Sequence, residues 1–109
     1  MSCAQFDTLK AFYPAAQCVI EGGLEVAYIP GVTIRAAGGP VVVNLLLHPH
    51  VKDSYDTRLF VDRKIAESKK LNWQAHTLCG ETWWACSWQG VKASLPWVQI
   101  LANHLLAFL

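Results

Sequence analysis

The chain of 109 residues has almost no charge of one sign to spare: nine Lys and Arg stand against eight Asp and Glu, a formal net charge of +1. A surface that tracks phosphates needs a clear basic surplus, so nucleic-acid binding is not expected. The nearest approach to one, Arg63, Lys64, Lys69 and Lys70, is a polar cluster and not a stripe. The opening Met-Ser-Cys-Ala-Gln-Phe-Asp has neither a basic leader nor a long apolar run, so no signal peptide is expected. The four cysteines, Cys3, Cys18, Cys79 and Cys86, lack the dense spacing of a disulfide scaffold, and reduced thiols in a cytoplasmic protein are the expectation. The longest apolar tract, residues 95–109, contains Gln99, Asn103 and His104. As a helix it would span about 22 Å, short of a roughly 30 Å hydrocarbon core, so no membrane crossing is expected. Repeats and low-complexity linkers are also missing. Gly22-Gly23 and Gly38-Gly39 precede no Lys-Ser/Thr pair at a helix start, so they are turns and not phosphate loops. Asp53 and Asp56 flank Ser54-Tyr55 as turn residues do, and Glu21, Glu25, Asp62 and Glu81 are scattered, which leaves no catalytic carboxylate pair legible.

What is present is a core. The 53% hydrophobic content and the length together predict one folded domain over residues 1–109. Phe6, Leu9 and Tyr13 recur at helical spacing over residues 3–13, with Ser2 as a cap and Pro14 as a stop. Gly22-Gly23 supplies the positive φ angles of a tight hairpin between strands Gln17–Glu21 and Leu24–Ile29, the second ending at Pro30-Gly31. After Gly38-Gly39-Pro40, residues 41–47 are apolar on both faces, as a central strand covered on both sides would be; His48-Pro49-His50 stops it. Residues 57–62 predict a further strand, and 64–70 a short helix or exposed loop. Ser94-Leu95-Pro96 starts a last helix, with Gln99, Asn103 and His104 as one narrow polar stripe and an apolar remainder. The fold class is α+β: an N-terminal helix, a mainly antiparallel meander and a C-terminal helix packed on the sheet. The apolar surface of residues 95–109 suggests a partner subunit or a second copy in a homodimer.

Residues 72–91 carry four of the five tryptophans, two of the cysteines and one of the four histidines. Each Trp can remove roughly 150–250 Å² from water, so this segment holds either the core or the working surface. A two-residue turn at Gly80-Glu81 would set Cys79 opposite Thr82, Thr77 opposite Trp84, Ala75 opposite Cys86 and Trp73 opposite Trp88. These eight share one face, predicted to be buried; the other face, with Gln74, His76, Trp83 and Ser87, is the more polar one. Cys79, near the tip, is the easier thiol to expose. An exposed thiolate is a strong nucleophile, with Asn72, His76 and Thr77 as neighbouring donors in sequence. Free Cys is also among the most buried residue types, so a structural thiol is the competing reading. His48, His50, His76, Cys79 and Cys86 match zinc-ligand spacing only loosely, and neither a metal nor another cofactor is expected.

The order of these features resembles the small bacterial relatives of ubiquitin-conjugating enzymes found in antiphage operons. The resemblance rests on a short N-terminal helix, Val19-Ile20-Glu21-Gly22-Gly23, Val26-Ala27-Tyr28-Ile29-Pro30, an apolar strand at 43–47, the run from Gly80 to Trp88, and a Leu-rich final helix. It implies a cysteine that accepts a ubiquitin-like modifier as a thioester and passes it to an amine. Leu78-Cys79 is the place for that cysteine, with His76 and Asn72 beside it as catalytic candidates. Trp83, Trp84, Trp88, His48 and His50 would be binding residues, and a ubiquitin-like modifier or an activating-enzyme-like protein the partner. The family's His-Pro-Asn element is represented by His48-Pro49-His50, Cys79 lies further downstream than usual, and a single helix follows. A non-catalytic binding module of the same fold, acting through the C-terminal helix, is the alternative.

Overall fold

The computed structural model describes residues 4–109. Along them run helix α1 (Ala4–Phe12), strands β1 (Gln17–Glu21), β2 (Leu24–Ala36), β3 (Gly39–His48), β4 (Arg58–Val61), β5 (Trp73–Leu78) and β6 (Glu81–Cys86), helix α2 (Trp97–Leu105) and a 3-10 turn over Leu106–Phe108. The strands form one antiparallel sheet in the order β1-β2-β3-β4-β6-β5, so β3 is central, as its two apolar faces predict. The fold is α+β, with both helices on one face of the sheet. Ser2 and Cys3 lie outside the described residues. No helix among the described residues is long and apolar enough to cross a membrane.

Phe6 and Leu9 of α1 and Trp97, Ile100 and Leu101 of α2 are buried against Ile29, Val43, Leu45, Leu47, Leu59 and Val61 of the sheet. The two helices also touch: the Gln5 side chain accepts the backbone N–H of Trp97 at 3.3 Å, satisfying one of the orphan donors at the start of α2. Two expectations about this layer need correction. β2 does not end at Pro30-Gly31 but continues to Ala36 through a bulge at which the register shifts between Ile29 and Val32. Pro30 has no N–H for the ladder, Gly31 takes a positive φ of 65°, and its N–H is accepted by the Asn44 side chain at 2.9 Å. His104 does not join the polar stripe of α2. It is 4% exposed and hydrogen-bonded at 2.8 Å to Thr57. Arg58, the first residue of β4, is buried too; its guanidinium donates to the Cys86 carbonyl and stacks on the Tyr55 ring.

The tryptophan hairpin forms with its turn one residue earlier than expected. Leu78 pairs with Glu81, Thr77 with Thr82, His76 with Trp83, Ala75 with Trp84 and Trp73 with Cys86. The turn residues are Cys79 and Gly80, at φ 51° and 75°, as a type I′ turn demands. Glu21, at the tip of the β1–β2 hairpin, accepts the Cys79 backbone N–H at 3.1 Å, a partner that no local reading of residues 72–91 contains. Because the slip changes each pairing by two positions, the faces keep their members, and Trp73, Trp84 and Cys86 point into the helix-covered core, but Ala75, Thr77, Cys79 and Thr82, expected to be buried with them, are exposed toward the tip. The opposite face, however, is not the solvated one. Trp83, Leu78 and Ala85 on it are all buried.

Candidate functional site

That second face has no helix over it, yet Val26, Leu46, Phe60, Leu78, Trp83 and Ala85 form a small core of their own there, with Val19 and Tyr28 packed against them. The sheet covers them by curling. In a flat sheet β1 and β5 would lie five strand spacings, roughly 24 Å, apart. Here the tips of the β1–β2 and β5–β6 hairpins meet: one Glu21 carboxylate oxygen accepts both the backbone N–H of Cys79 and its S–H, the latter at 3.5 Å.

Between the two tips the curl leaves a cleft of about 460 Å³ lined by Val19, Ile20, Tyr28, Leu46, Cys79, Glu81 and Trp83. Leu46 and Trp83 are its most buried lining residues, and Tyr28 meets Trp83 edge to face, with centroids 6.1 Å apart and planes at 79°. Trp83 is only 3% exposed, and its indole N–H has no acceptor among the described residues. A buried donor left without a partner costs about 1–3 kcal/mol, so this one requires an explanation. No basic side chain lines the cleft. Its rim carries two carboxylates, Glu81 and the Glu21 that bridges to Cys79.

This environment governs the Cys79 thiol. The side chain is exposed, but partial burial raises its pKa, and the hydrogen bond to Glu21 and the charges of Glu21 and Glu81 raise it further. A nucleophilic cysteine needs the opposite surroundings. The other expected catalytic residues lie elsewhere. His76 faces the inside of the curl beside the Phe60 ring, 3.9 Å from Asp53; burial first and the Arg58 charge second lower its pKa. Its Nε2 has no partner among the described residues. Asn72 sits before the far end of β5, pairing with Ser87, and the six residues of β5 separate it from Cys79 by roughly 23 Å.

The expected binding residues are likewise divided. Trp83 is the cleft floor. Trp84 and Trp88 pack on the opposite, helix-covered core, the latter donating its indole N–H to the Asn103 carbonyl at 3.1 Å. His48 is buried at the end of β3, next to His50, whose ring nitrogen bonds the Glu25 carbonyl at 2.7 Å. No group of three or more His, Cys, Asp or Glu residues able to hold a metal ion comes together among the described residues. The apolar circumference of α2 is largely spent on the sheet, and the large hydrophobics left exposed at that end of the chain are Leu106 and Leu109. Val19, Tyr28, Leu46 and Glu21 are the site residues that sequence reasoning missed. The signal for three of them was period-two alternation, which puts Val19, Glu21 and Tyr28 on one face of the first hairpin. No family model, no curated protein and no solved structure matches this chain.

Proposed function

We propose that this chain is a binding module whose recognition site is the cleft between the two hairpin tips, with Cys79 as part of its rim. One observation carries the reading: an open cleft of about 460 Å³ between the two hairpin tips, floored by Leu46 and Trp83, lies on the sheet face whose core includes no helix residue. Ligand sites combine an apolar, preformed concavity with a few polar groups that fix orientation, and the size of this one suits a small molecule. The direct test is a small-molecule screen on the 15N-labelled protein, read at the Trp83 indole resonance. Ligands that move this signal should lose affinity when Val19→Trp fills the cleft and keep it in Val42→Ala, an exposed position outside the cleft lining. A screen in which nothing moves Trp83 ends the proposal.

Thioester transfer through Cys79, the activity implied by the resemblance to conjugating enzymes, is favoured by one observation, the exposure of the thiol at a hairpin tip. The two readings divide on reactivity. With two carboxylates beside it, Cys79 is expected to alkylate slowly in the native protein, with an apparent pKa above the ordinary thiol value, and Glu21→Gln is expected to speed it. Rapid labelling with an apparent pKa below that value would return the thiol to the centre of the mechanism.

A further inference from the structure

We propose that the outer edge of β2 over residues 32–36, with the apolar grooves beside it, binds an extended peptide segment of another protein as an added antiparallel strand. β1 pairs with β2 only as far as Tyr28, so beyond that point β2 has a strand on one side alone among the described residues. The register tells which backbone groups this leaves over. Arg35 lies opposite Pro40, which has no N–H, so that pair exchanges no hydrogen bonds. Bonded and unbonded pairs alternate along an antiparallel ladder, so Thr33, opposite Val42, belongs to the next unbonded one. The N–H and C=O of Thr33 and Arg35 therefore point outward, four groups ready to receive a strand.

Two apolar grooves of about 300 Å³ each run along this edge and share Tyr13, Val32 and Thr33. Phe12 in one, and Leu106 and Leu109 in the other, are exposed large hydrophobics. Neither groove shares a lining residue with the cleft between the hairpin tips. Strand addition uses main-chain bonds from an edge and pockets for alternate side chains, and both are present here. The occupant is a separate peptide and not a second copy. Val32 and Ile34 of a second β2 are 8% and 4% exposed, spent on their own core, and have nothing to put into the grooves. Such pairing would also set two Arg35 side chains on one face. Arg35 is the one charged residue lining either groove, and it has no carboxylate partner among the described residues. From its N-terminus, a fitting antiparallel strand places an acidic residue opposite Arg35 and apolar residues opposite Ile34 and Val32. Alternation turns these apolar side chains toward the grooves and the acid toward the Arg35 side chain.

The test titrates acetylated, amidated hexapeptides of the form Thr-Glu-Φ-Thr-Φ-Thr, with Φ drawn from Val, Leu, Ile, Phe and Tyr, into the full 15N-labelled chain. The readout is amide exchange in deuterated solvent. Peptides are expected to slow exchange at Thr33 and Arg35 about tenfold or more and to leave the Trp83 indole resonance in place. N-methylation of the peptide Thr opposite Thr33 is expected to weaken binding about tenfold, and Lys in place of Glu about threefold. Arg35→Glu, at an exposed position, is expected to reverse the preference for Glu over Lys. A panel in which no peptide slows these two amides at about 1 mM overturns the proposal, as does binding that leaves them unprotected. Slowing that grows with protein concentration alone makes a second copy the occupant and overturns it too. The cleft is tested separately, at Trp83.

Discussion

The two faces of the sheet treat the same residue type in opposite ways. On the helix-covered face, Trp73 stacks on Phe108 and donates its indole N–H to Glu67 at 3.0 Å, and Trp88 donates to the Asn103 carbonyl. The buried His104 on that side is also satisfied. The single proton of the Thr57 hydroxyl goes to the Val91 carbonyl at 2.8 Å, so the His104 ring must donate to the Thr57 oxygen, which fixes its tautomer. On the curled face, Trp83 Nε1 and His76 Nε2, on residues directly opposite in the β5–β6 ladder, both lack partners among the described residues. A face whose buried polar groups are paired serves stability. One that leaves them unpaired gives up about 1–3 kcal/mol for each group.

The comparison breaks most visibly on the covered face. Phe108→Ala removes a fully buried ring and the stacking partner of Trp73, and should cost about 3–5 kcal/mol in a denaturant titration, a large share of the stability of a domain this size. The next effect is acid sensitivity. Burial first and the Arg58 charge second push the His104 pKa down to about 4, below the ordinary 6.5 of an unfolded histidine. The unfolded chain therefore takes up the proton first. The stabilisation is complete above pH 6.5 and falls away as the pH drops toward 4, by about 3 kcal/mol in all. His48 and His76, also lowered, act in the same direction. Denaturation midpoints measured across this range should slope steeply for the native sequence and less in His104→Leu.

Smaller effects sharpen the contrast. Glu67→Ala strips the acceptor from both the Trp73 indole and the Leu71 amide, and should cost about 1–2 kcal/mol by thermal melting, since each loses its bond. Smallest, and of opposite sign, is Cys79→Gly. Cys79 holds a left-handed φ of 51°, and glycine there should stabilise the hairpin by up to about 1 kcal/mol, read as a small rise in melting temperature.

Most of the fold was legible because its signals are local. Gly22-Gly23 dictates its hairpin, the doubly apolar run at 41–47 dictates a central strand, and alternation sorts Trp73 and Trp84 from Trp83. What was not legible depends on residues distant in sequence. A polar side chain on a helix reads as exposed unless its partner is known, and the partner of His104 is Thr57, 47 residues away. The acceptor of the Cys79 amide in the turn is Glu21, 58 residues away. The cleft is a product of curvature, which periodicity does not encode: alternation finds the members of each face and says nothing about how far the sheet bends. Asn72, His76 and Cys79 were grouped by nearness in sequence, and an extended strand is the structure that most separates sequence neighbours.

The meeting of Glu21 with Cys79 also has a kinetic meaning. The β1–β4 meander and the β5–β6 hairpin each pair strands that are neighbours along the chain, so both can zip from short turns. The contact between the tips joins residues 58 apart and becomes available only once both hairpins exist. It is expected to form late in folding and to part early in opening. The exchange rate of the Cys79 amide with deuterated solvent is therefore a clock for how often the two corners part, and a ligand seated between them should slow that clock before it slows any other amide in the sheet.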